Sequence, residues 1–462
     1  MFVKQLYTNC LAEAAYYIES EGEAAVIDPL RETHPYIALA EERGAAIKYV
    51  FETHFHADFV SGHIDLAEKT GALIVFGPGA DTRYKIHAAK DEESFKIGKV
   101  VIKVLHTPGH TLESSCYLLL DENNNEYAVF TGDTLFVGDV GRPDLLDDAA
   151  TTSKTAMAAM LYDSLNIKIK KLPDDVIVYP AHGPGSSCGK NIGKETWSTI
   201  GQQKLSNYAL KEMSKEEFVN VITSGLLPPP QYFFRDAKIN KTGYDSLDAV
   251  MTRNLKALSA EEFEKKIQNG ALVLDTRTPD DFEKGFVKGA VNIGLNGTFA
   301  VWVGTLLNID RQILLVTAPG KEQESVLRLA RVGYDNVCGY LQGGIDCWKQ
   351  AGKAMDTIHS IDAGEFARIA AQHKVLDVRK ETETAAGHVK GAVNIPLADL
   401  PEKINQLDSN ESYLVHCAGG YRSMIACSVM KASGFVHLKN VSGGFSKIKE
   451  TAVHIVCPAT TT

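Results

Sequence analysis

The stretch THFHADFVSGH, residues 53–63, decides what the N-terminal half of this chain can be. His54, His56 and Asp58 stand at alternate positions directly after the apolar run IKYVFE. Imidazole and carboxylate groups on a loop that follows a strand are typical of a metal-binding site. The next residue is Phe59, whose side chain cannot bind a metal, and the loop alone leaves open whether the chain holds two metals, one or none.

The length and charge of the chain limit its possible functions. With 462 residues it should contain two to four domains, and its net charge of −10 argues against nucleic-acid binding, which needs a basic face. The N-terminus lacks the pattern of a signal peptide, and no apolar stretch reaches membrane-spanning length. Eight dispersed cysteines fit free thiols in a reducing compartment. We therefore expect a cytoplasmic protein with no nucleic-acid or membrane partner.

Four predicted strands of the first half end in potential metal ligands. The residues at these strand ends are His54, His56 and Asp58, then His110, Asp133 and His182. Loops held at the ends of a rigid sheet are where sites usually form. His54, His110 and Asp133 would give the two imidazoles and one carboxylate typical of non-haem iron(II) enzymes. His54, His56 and His110 would instead suit a catalytic zinc ion with a bound water, and the residues alone leave both sets open.

The motifs around these ligands resemble those of the metallo-β-lactamase superfamily over residues 1 to about 240. The motifs are H-x-H-x-D, T-P-G-H-T, T-G-D-T-L-F and P-A-H-G. The resemblance implies an α/β fold, an αββα sandwich with the metal at one sheet edge. In the dinuclear hydrolases of this superfamily a histidine stands at the position of Phe59 and binds the second metal, so the resemblance implies a weak second site here. Within the superfamily the chain is similar to persulfide dioxygenases and their fusions with rhodanese domains, which the segment GRPDL at 141–145 also fits. This likeness implies one mononuclear Fe(II) per chain, bound by His54, His110 and Asp133.

Other polar residues of this domain are candidates for orienting the ligands or binding substrate. They are His56, Asp58, Arg142, His182 and Cys188. For Asp58, a purely structural role as a hydrogen-bond acceptor is as well supported as a functional one. Cys188 lies in HGPGSSCGKN, 182–191, which fails the phosphate-binding loop pattern at two positions. This thiol either relays sulfur or is inert.

An internal repeat follows the proline-rich stretch 226–246, where the first domain is expected to end. LDTRTPDDFEKGFVKGAVNI at 274–293 matches LDVRKETETAAGHVKGAVNI at 376–395. We call the copy over 251–356 the first repeat and the copy over 357–462 the second repeat. Residues 1–250 form the metallo-β-lactamase-like domain of this interpretation.

The second repeat contains a strand, a cysteine and a glycine-rich turn in the sequence YLVHCAGGYRS. This arrangement aims backbone N–H groups and a helix N-terminus at Cys417, which stabilises anionic sulfur. With LDVR and GHVKGAVNIP, the repeat resembles a rhodanese sulfurtransferase. The likeness implies that Cys417 carries sulfur, that Arg422 attracts an anionic donor or acceptor, and that Gly419, Gly420 and Ser423 shape the site. In the first repeat the corresponding loop reads TAPGKEQE, which places Ala318 at the cysteine position and predicts an inactive copy.

The leading hypothesis is a bifunctional enzyme of sulfide detoxification. Its partners would be a low-molecular-weight thiol persulfide, O2, and sulfite or thiosulfate, and we expect a homo-oligomer. A thioester hydrolase like glyoxalase II, which uses metal-bound hydroxide, is the alternative, although Phe59 and the attached rhodanese weigh against it. A sulfur carrier or scaffold with little turnover at the metal is the third.

Overall fold

The computed structural model describes residues 1–145, 152–226, 228–230 and 232–457. Met1–Val250 together with Ala330–Gly333 form one compact unit, and the remaining described residues form a second. The boundary predicted at 356 lies inside the second unit and stays a prediction, and residues 458–462 of the second repeat lie outside the described part. In that described part, no helix is long and apolar enough to cross a bilayer.

Two mixed six-stranded sheets form the centre of the first unit. The strands of the first sheet, neighbouring one another in chain order, are β1 Phe2–Thr8, β2 Glu13–Ser20, β3 Glu23–Ile27, β4 Ala46–Phe51, β5 Leu73–Phe76 and β6 His87–Ala88. The strands of the second sheet, again in chain order, are β7 Ser94–Ile97, β8 Val100–His106, β9 Ser115–Leu120, β10 Glu126–Gly132, β11 Ile177–Pro180 and β12 Ser198–Thr199.

The two sheets pack face to face over an aromatic core. The Tyr16 and Phe130 rings lie 4.9 Å apart edge to face, and the Phe51 and Tyr117 rings lie 4.8 Å apart. Each pair joins one strand of the first sheet to one of the second. Close aromatic contacts of this kind bury large apolar areas and fix how the sheets sit on each other.

Helices cover the outer faces of both sheets. The helices of the first unit and its end are α1 His34–Arg43, α2 His63–Thr70, α3 Lys154–Ile167, α4 Ile200–Ser206, α5 Lys215–Thr223, α6 Tyr232–Thr242 and α7 Leu247–Asn254. Residues of α1 and α2 share an apolar cluster with the first sheet, and residues of α3 and α5 share one with the second. The predicted αββα sandwich is therefore confirmed.

The proline-rich stretch 226–246 contains a packed helix. Helix α6 lies inside it, and its Tyr232, Phe233, Asp236 and Asn240 are buried. The sequence prediction treated this stretch only as the end of a domain. The turn-forming residues of this stretch did not predict a helix, yet one face of α6 packs against the rest of the unit.

The second unit contains two five-stranded parallel sheets with the same strand pattern. The first repeat contains β13 Ala257–Leu258, β14 Leu272–Asp275, β15 Phe286–Val287, β16 Val291–Asn292, β17 Ile313–Val316, β18 Val337–Leu341 and β19 Met355–Asp356, with α8 Ala260–Gln268, α9 Pro279–Phe282, α10 Phe299–Leu306, α11 Glu322–Ala330 and α12 Gly344–Gln350. The second repeat contains β20 His359–Ile361, β21 Lys374–Asp377, β22 His388–Val389, β23 Val393–Asn394, β24 Tyr413–His416, β25 Leu438–Val441 and β26 Ile455–Val456, with α13 Ala363–Ile369, α14 Glu381–Ala385, α15 Leu400–Lys403, α16 Tyr421–Ala432 and α17 Gly444–Ile448.

The repeated L-D-x-R motif forms the same buried ion pair in both copies. Asp377 accepts from Arg379 at the end of β21, with 2.6 Å between Oδ2 and Nη2, and Asp275 and Arg277 repeat this distance. The repeated asparagine, Asn394, donates to the carbonyls of Asp377 and Arg379 over 2.8 and 2.9 Å. A buried charge must be paired, so these residues keep the motif recognisable even where the loop sequences differ.

The strand pairing in the two parallel sheets corrects by one residue which position of the first repeat corresponds to Cys417. Val316 pairs with Asp275 in the first repeat exactly where His416 pairs with Asp377 in the second. Thr317, and not Ala318, therefore occupies the position of Cys417. Between its strand and its helix, the first-repeat loop is one residue longer than the Cys417 loop. Counting back from the helix therefore places Ala318, and counting forward from the strand places Thr317, at the cysteine position. A threonine hydroxyl cannot carry sulfane sulfur, so the expectation of an inactive copy is unchanged.

The repeated glycine pair at the start of α17 supports the Cys417 loop. The Phe445 N–H donates to the Cys417 carbonyl over 2.7 Å, and the Ser446 N–H donates to the Ala418 carbonyl over 3.0 Å. Gly444 has a φ of +52°, and a Cβ added there would lie 2.4 Å from the Cys417 carbonyl oxygen. Only glycine allows both the backbone angle and this close approach.

We predict that Gly444→Ala is more destabilising than Gly344→Ala, its counterpart in the first repeat. Both glycines have positive φ, so each alanine costs about 1–2 kcal/mol of backbone strain. A Cβ at Gly344 would lie 3.6 Å from its nearest neighbour, the Thr317 carbonyl oxygen, so only Gly444→Ala adds an overlap. Urea unfolding of both variants measures the difference, and equal losses would contradict the predicted overlap with the Cys417 loop.

Candidate functional site

The predicted ligands His54, His110 and Asp133 come together at one edge of the sandwich. Each lies on a loop just past a strand end: His54 after β4, His110 after β8 and Asp133 after β10. The His110 Nε2 atom lies 3.3 Å from Asp133 Oδ2, and His54 Nε2 lies 3.9 Å from the same oxygen. All three side chains are buried, and their ligand atoms lie within 4.8 Å of one another.

The surroundings of Asp133 fit a bound cation. Both of its carboxylate oxygens are buried, and neither accepts a hydrogen bond of ordinary geometry from the described residues. A buried carboxylate without a donor is costly unless a positive charge lies beside it. The donor set of two imidazoles and one carboxylate is one that binds iron or zinc.

Hydrogen bonds at the far ring nitrogens orient both imidazoles. Thr53 Oγ1 donates to Asp28 over 2.8 Å, so at 2.9 Å it accepts from the His54 Nδ1–H. The His110 Nδ1–H donates to the Arg142 carbonyl over 2.8 Å. Both Nε2 lone pairs are therefore directed at the carboxylate. Burial, with the neighbouring histidines, lowers the pKa of His54 well below its usual range, which keeps this ring neutral.

His56 is held by carboxylates on the other side of its loop. Its Nε2 atom lies 3.1 Å from Asp28 Oδ1 and 3.5 Å from Glu52 Oε2. Burial disfavours the charged ring, but the Asp28, Glu52 and Asp58 carboxylates outweigh burial and raise the pKa of His56 to about 9. The fully buried Phe59 ring packs against this imidazole, with 4.3 Å between ring centroids. The zinc set that includes His56 is thus less well arranged than the set with Asp133.

Asp58 and His182 form a second cluster that touches the first. The His182 Nε2 atom lies 3.4 Å from Asp58 Oδ2 and 3.5 Å from Asp133 Oδ1. With one nitrogen of His56, these two residues also bring three ligand atoms within 4.8 Å of one another. A further set of metal-binding side chains therefore lies beside the first, although Phe59 takes the place of one histidine.

Cys188 and Arg142 lie at the same edge. The Cys188 sulfur, with ligand atoms of Asp133 and His182, forms another group within 4.8 Å, and burial raises the pKa of this thiol well above its usual range. The Arg142 guanidinium donates to the Asp144 carboxylate over 2.7 and 2.9 Å and to the carbonyl of Ser187. Arg142 thus ties the 141–144 segment to the loop that contains Cys188.

Asn240 supports the loop 53–63, called the metal loop below, and could not be identified from the sequence. Its Nδ2 atom donates to the His56 and Phe59 carbonyls, each over 2.8 Å, and its Oδ1 accepts from the Ser61 N–H over 2.9 Å. Asn240 lies on α6, far along the chain from the loop that it supports. Nothing in the local pattern of residues 226–246 pointed to this contact, because the contact depends on how α6 packs.

In the second repeat, Cys417 lies where the sequence placed it, between β24 and α16. Its buried sulfur accepts from the Gly420 N–H over 3.1 Å and lies 3.6 Å from Ser423 Oγ. Gly420 has a φ of +108°, which directs its N–H at the sulfur, whereas a Cβ at Gly419 would meet no atom within 4 Å. Gly420 is therefore needed by the backbone, and Gly419 leaves open space.

Arg422 is paired within the second repeat. Its two terminal nitrogens donate to the Glu383 carboxylate over 2.6 and 2.8 Å. This hydrogen-bonded pair lowers the pKa of Glu383. The anionic donor or acceptor expected at Arg422 from the sequence would therefore have to compete with Glu383 for the guanidinium.

Comparisons with known proteins agree with this architecture. The family described as the metallo-beta-lactamase superfamily matches residues 8–182, and the rhodanese-like domain matches 259–351 and 362–451. The human mitochondrial persulfide dioxygenase ETHE1 is 32% identical over 211 residues, which span 45% of this chain and 74% of that protein. A probable hydroxyacylglutathione hydrolase of Schizosaccharomyces pombe is also 32% identical, over 168 residues that span 36% of this chain and 60% of that protein.

A solved structure extends the likeness beyond the first domain. A metallo-beta-lactamase from Staphylococcus aureus is 33% identical, with a TM-score of 0.65, and the match covers 74% of this chain and 98% of that one. The chain belongs to the metallo-β-lactamase superfamily, and its metallo-β-lactamase domain is followed by two rhodanese-like domains.

We predict that Asn240→Ala destabilises the first unit. The substitution leaves one buried N–H and two buried carbonyls of the metal loop without partners, at about 1–3 kcal/mol for each group. Urea unfolding and titration with a divalent metal should both show the loss. Asn166→Ala, which removes one half-buried hydrogen bond, is the control. Losses as small as those of the control would mean that Asn240 does not support the loop.

Proposed function

We propose that this chain is a bifunctional non-haem iron persulfide dioxygenase and sulfurtransferase. The observation that carries the proposal is the convergence of two oriented imidazoles and one buried carboxylate that accepts no ordinary hydrogen bond, with Phe59 at the position of a further histidine. Such a ligand set leaves coordination positions for O2 and a sulfur substrate on one metal. The similarity to persulfide dioxygenases and the attached rhodanese domains support the same chemistry.

In this proposal the side chains of the first domain hold and shield the centre. His54, His110 and Asp133 would bind one Fe(II), which supplies the redox chemistry that joins O2 to a sulfane sulfur. The hydrogen bonds at both Nδ1 atoms keep the rings in place. Phe59 and Phe136, both fully buried, exclude water from the side nearest His56 and His182. A thiol persulfide, O2 and water would give sulfite and the free thiol.

The second repeat would use the sulfite. Cys417 would take the sulfane sulfur of a persulfide and release the thiol, and sulfite would then attack the outer sulfur and leave as thiosulfate. The Gly420 N–H and the N-terminus of α16 favour negative charge on either sulfur form. The first repeat, with Thr317 at the equivalent position, would take no part in this transfer.

A thioester hydrolase with a sulfurtransferase domain is the second candidate. It is favoured by the hydroxyacylglutathione hydrolase relative, whose identity equals that of the persulfide dioxygenase, and by the cluster of His56, Asp58 and His182. Hydrolysis would need a metal-bound hydroxide instead of a redox metal. The two candidates differ in whether O2 is consumed.

The proposal includes a cytoplasmic location, since all eight cysteines are free thiols. The homo-oligomer expected from the sequence stays a prediction.

We predict that the iron-loaded protein consumes O2 with glutathione persulfide and that Asp133→Ala abolishes this uptake. Removing the carboxylate takes away the anionic ligand between the two imidazoles. Metal analysis should give one iron per chain in the wild type. Sulfur transfer from thiosulfate to cyanide should persist in Asp133→Ala, because Cys417 belongs to another domain. Zinc-dependent thioester cleavage without O2 uptake would reject the dioxygenase and support the second candidate.

We predict that Cys417→Ser changes the product and not the O2 uptake. A serine hydroxyl keeps the size of the side chain but cannot carry sulfane sulfur. Sulfite should therefore accumulate in place of thiosulfate when persulfide is oxidised, as measured by chromatography of the derivatised products. Cys427→Ser, at a buried position on α16, is the matched control. Thiosulfate formation at the wild-type rate, after subtraction of the spontaneous reaction, would remove Cys417 from the mechanism.

A further inference from the structure

A chain of hydrogen-bonded side chains connects Cys417 to a carboxylate of the first repeat. Cys417 Sγ lies 3.6 Å from Ser423 Oγ, which donates to Asn440 Oδ1 over 2.7 Å. Asn440 Nδ2 donates to Ser360 Oγ over 2.9 Å. The Ser360 hydroxyl donates in turn to Glu283 Oε2. Among these hydrogen-bonded residues, only Glu283 lies in the first repeat.

The fold holds the members of this chain in place. Ser360 on β20 and Asn440 on β25 are paired in register, so their side chains are neighbours on one face of the sheet. Ser423 lies in the first turn of α16. Glu283 directly follows α9, and its carbonyl accepts from the Ile358 N–H over 3.3 Å.

A second contact shows that the first repeat packs against the Cys417 loop. The Tyr421 hydroxyl, at the start of α16, donates to the Gly294 carbonyl over 2.8 Å. A Cβ added to Gly297 would lie 2.4 Å from the Tyr421 ring, so this glycine makes room for the ring. The repeat that lacks a sulfur-carrying thiol is thus in direct contact with the loop that has one.

The carboxylate fixes the direction of every hydrogen bond in the chain. An ionised Glu283 can only accept, so Ser360 donates to it and must accept from Asn440. Asn440 then turns its amide nitrogen to Ser360 and its oxygen to Ser423, which must donate to that oxygen. Ser423 has one hydrogen and two oxygen acceptors, Asn440 Oδ1 at 2.7 Å and the Gly420 carbonyl at 3.0 Å. It therefore offers Cys417 only a lone pair, and the Glu283 chain fixes the nearer of its two acceptors.

We infer that Glu283 of the first repeat is a positioning residue for Cys417: its charge makes Ser423 an acceptor and so holds the Cys417 thiol as a donor. The Gly420 N–H stabilises anionic sulfur, whereas the Glu283 chain favours the protonated form. The first repeat therefore restrains the nucleophile of the second, a role that needs no thiol of its own. This inference rests on the sulfur-carrying role proposed for Cys417.

The test compares the reactivity of Cys417 in the full-length protein and in Glu283→Gln. A glutamine can donate to Ser360, which allows the hydrogen bonds to reverse until Asn440 donates to Ser423. The Ser423 hydrogen is then released from Asn440 and is shared between the Gly420 carbonyl and the sulfur. One hydrogen bond to an anionic sulfur should speed alkylation of Cys417 by iodoacetamide at pH 7 about three- to tenfold. Peptide mass spectrometry follows Cys417 separately from the other thiols. The ultraviolet thiolate absorbance, taken against Cys417→Ser, should rise in parallel.

Two further variants make the result specific. Ser360→Ala interrupts the chain and should also speed alkylation, and the double variant should gain no more than the larger single effect. Asp280→Asn removes a carboxylate from the exposed side of α9 and should leave the rate unchanged. Wild-type or slower alkylation of Cys417 in folded Glu283→Gln and Ser360→Ala would overturn the inference. Because the alkylation assay contains no sulfur substrate, its outcome does not depend on whether the protein transfers sulfur.

Discussion

The first domain depends on one constraint, a buried carboxylate that accepts no ordinary hydrogen bond. Asp133 lies where several strand ends of the sandwich meet, and His54, His110 and His182 all direct a nitrogen at it. A buried carboxylate without a hydrogen-bond donor is costly, so this edge of the fold fits a bound cation. The hydrogen bonds of Thr53, Asn240 and the Arg142 carbonyl serve to keep these groups converged.

The two rhodanese-like repeats share their buried structural side chains and differ at the loop that contains Cys417 in the second repeat. The buried Asp–Arg pair and the repeated asparagine are the same in both copies, because they satisfy buried charges and backbone carbonyls. The loops after β17 and β24 differ, with Thr317 in the first repeat where the second repeat has Cys417. The repeat is therefore recognisable in the sequence from its structural side chains, and the two copies differ in the residues of this loop.

Much of the candidate site could be predicted, and the remainder shares one physical property. The ligands His54, His110 and Asp133 follow predicted strands, and strand ends are local features of sequence. Asn240 and Asp28 were missed because they act on the loop 53–63 from distant parts of the chain. The assignment of Ala318 in place of Thr317 to the Cys417 position was wrong for the same reason, since strand register is fixed by pairing across the sheet.

Local sequence was enough to predict the class of each domain, the residue types at both sites and the lack of a cysteine in the first-repeat loop that corresponds to the Cys417 loop. These properties follow from local patterns, namely periodicity, glycine turns and the identity of residues after strands. Only the tertiary structure decided which nitrogen of His56 faces Asp28, and that Arg422 is paired with Glu383. It also decided that Glu283 reaches Cys417 through Ser360, which lies 77 positions further along the chain. Such contacts depend on packing between segments that are distant in the sequence, so local sequence patterns do not predict them.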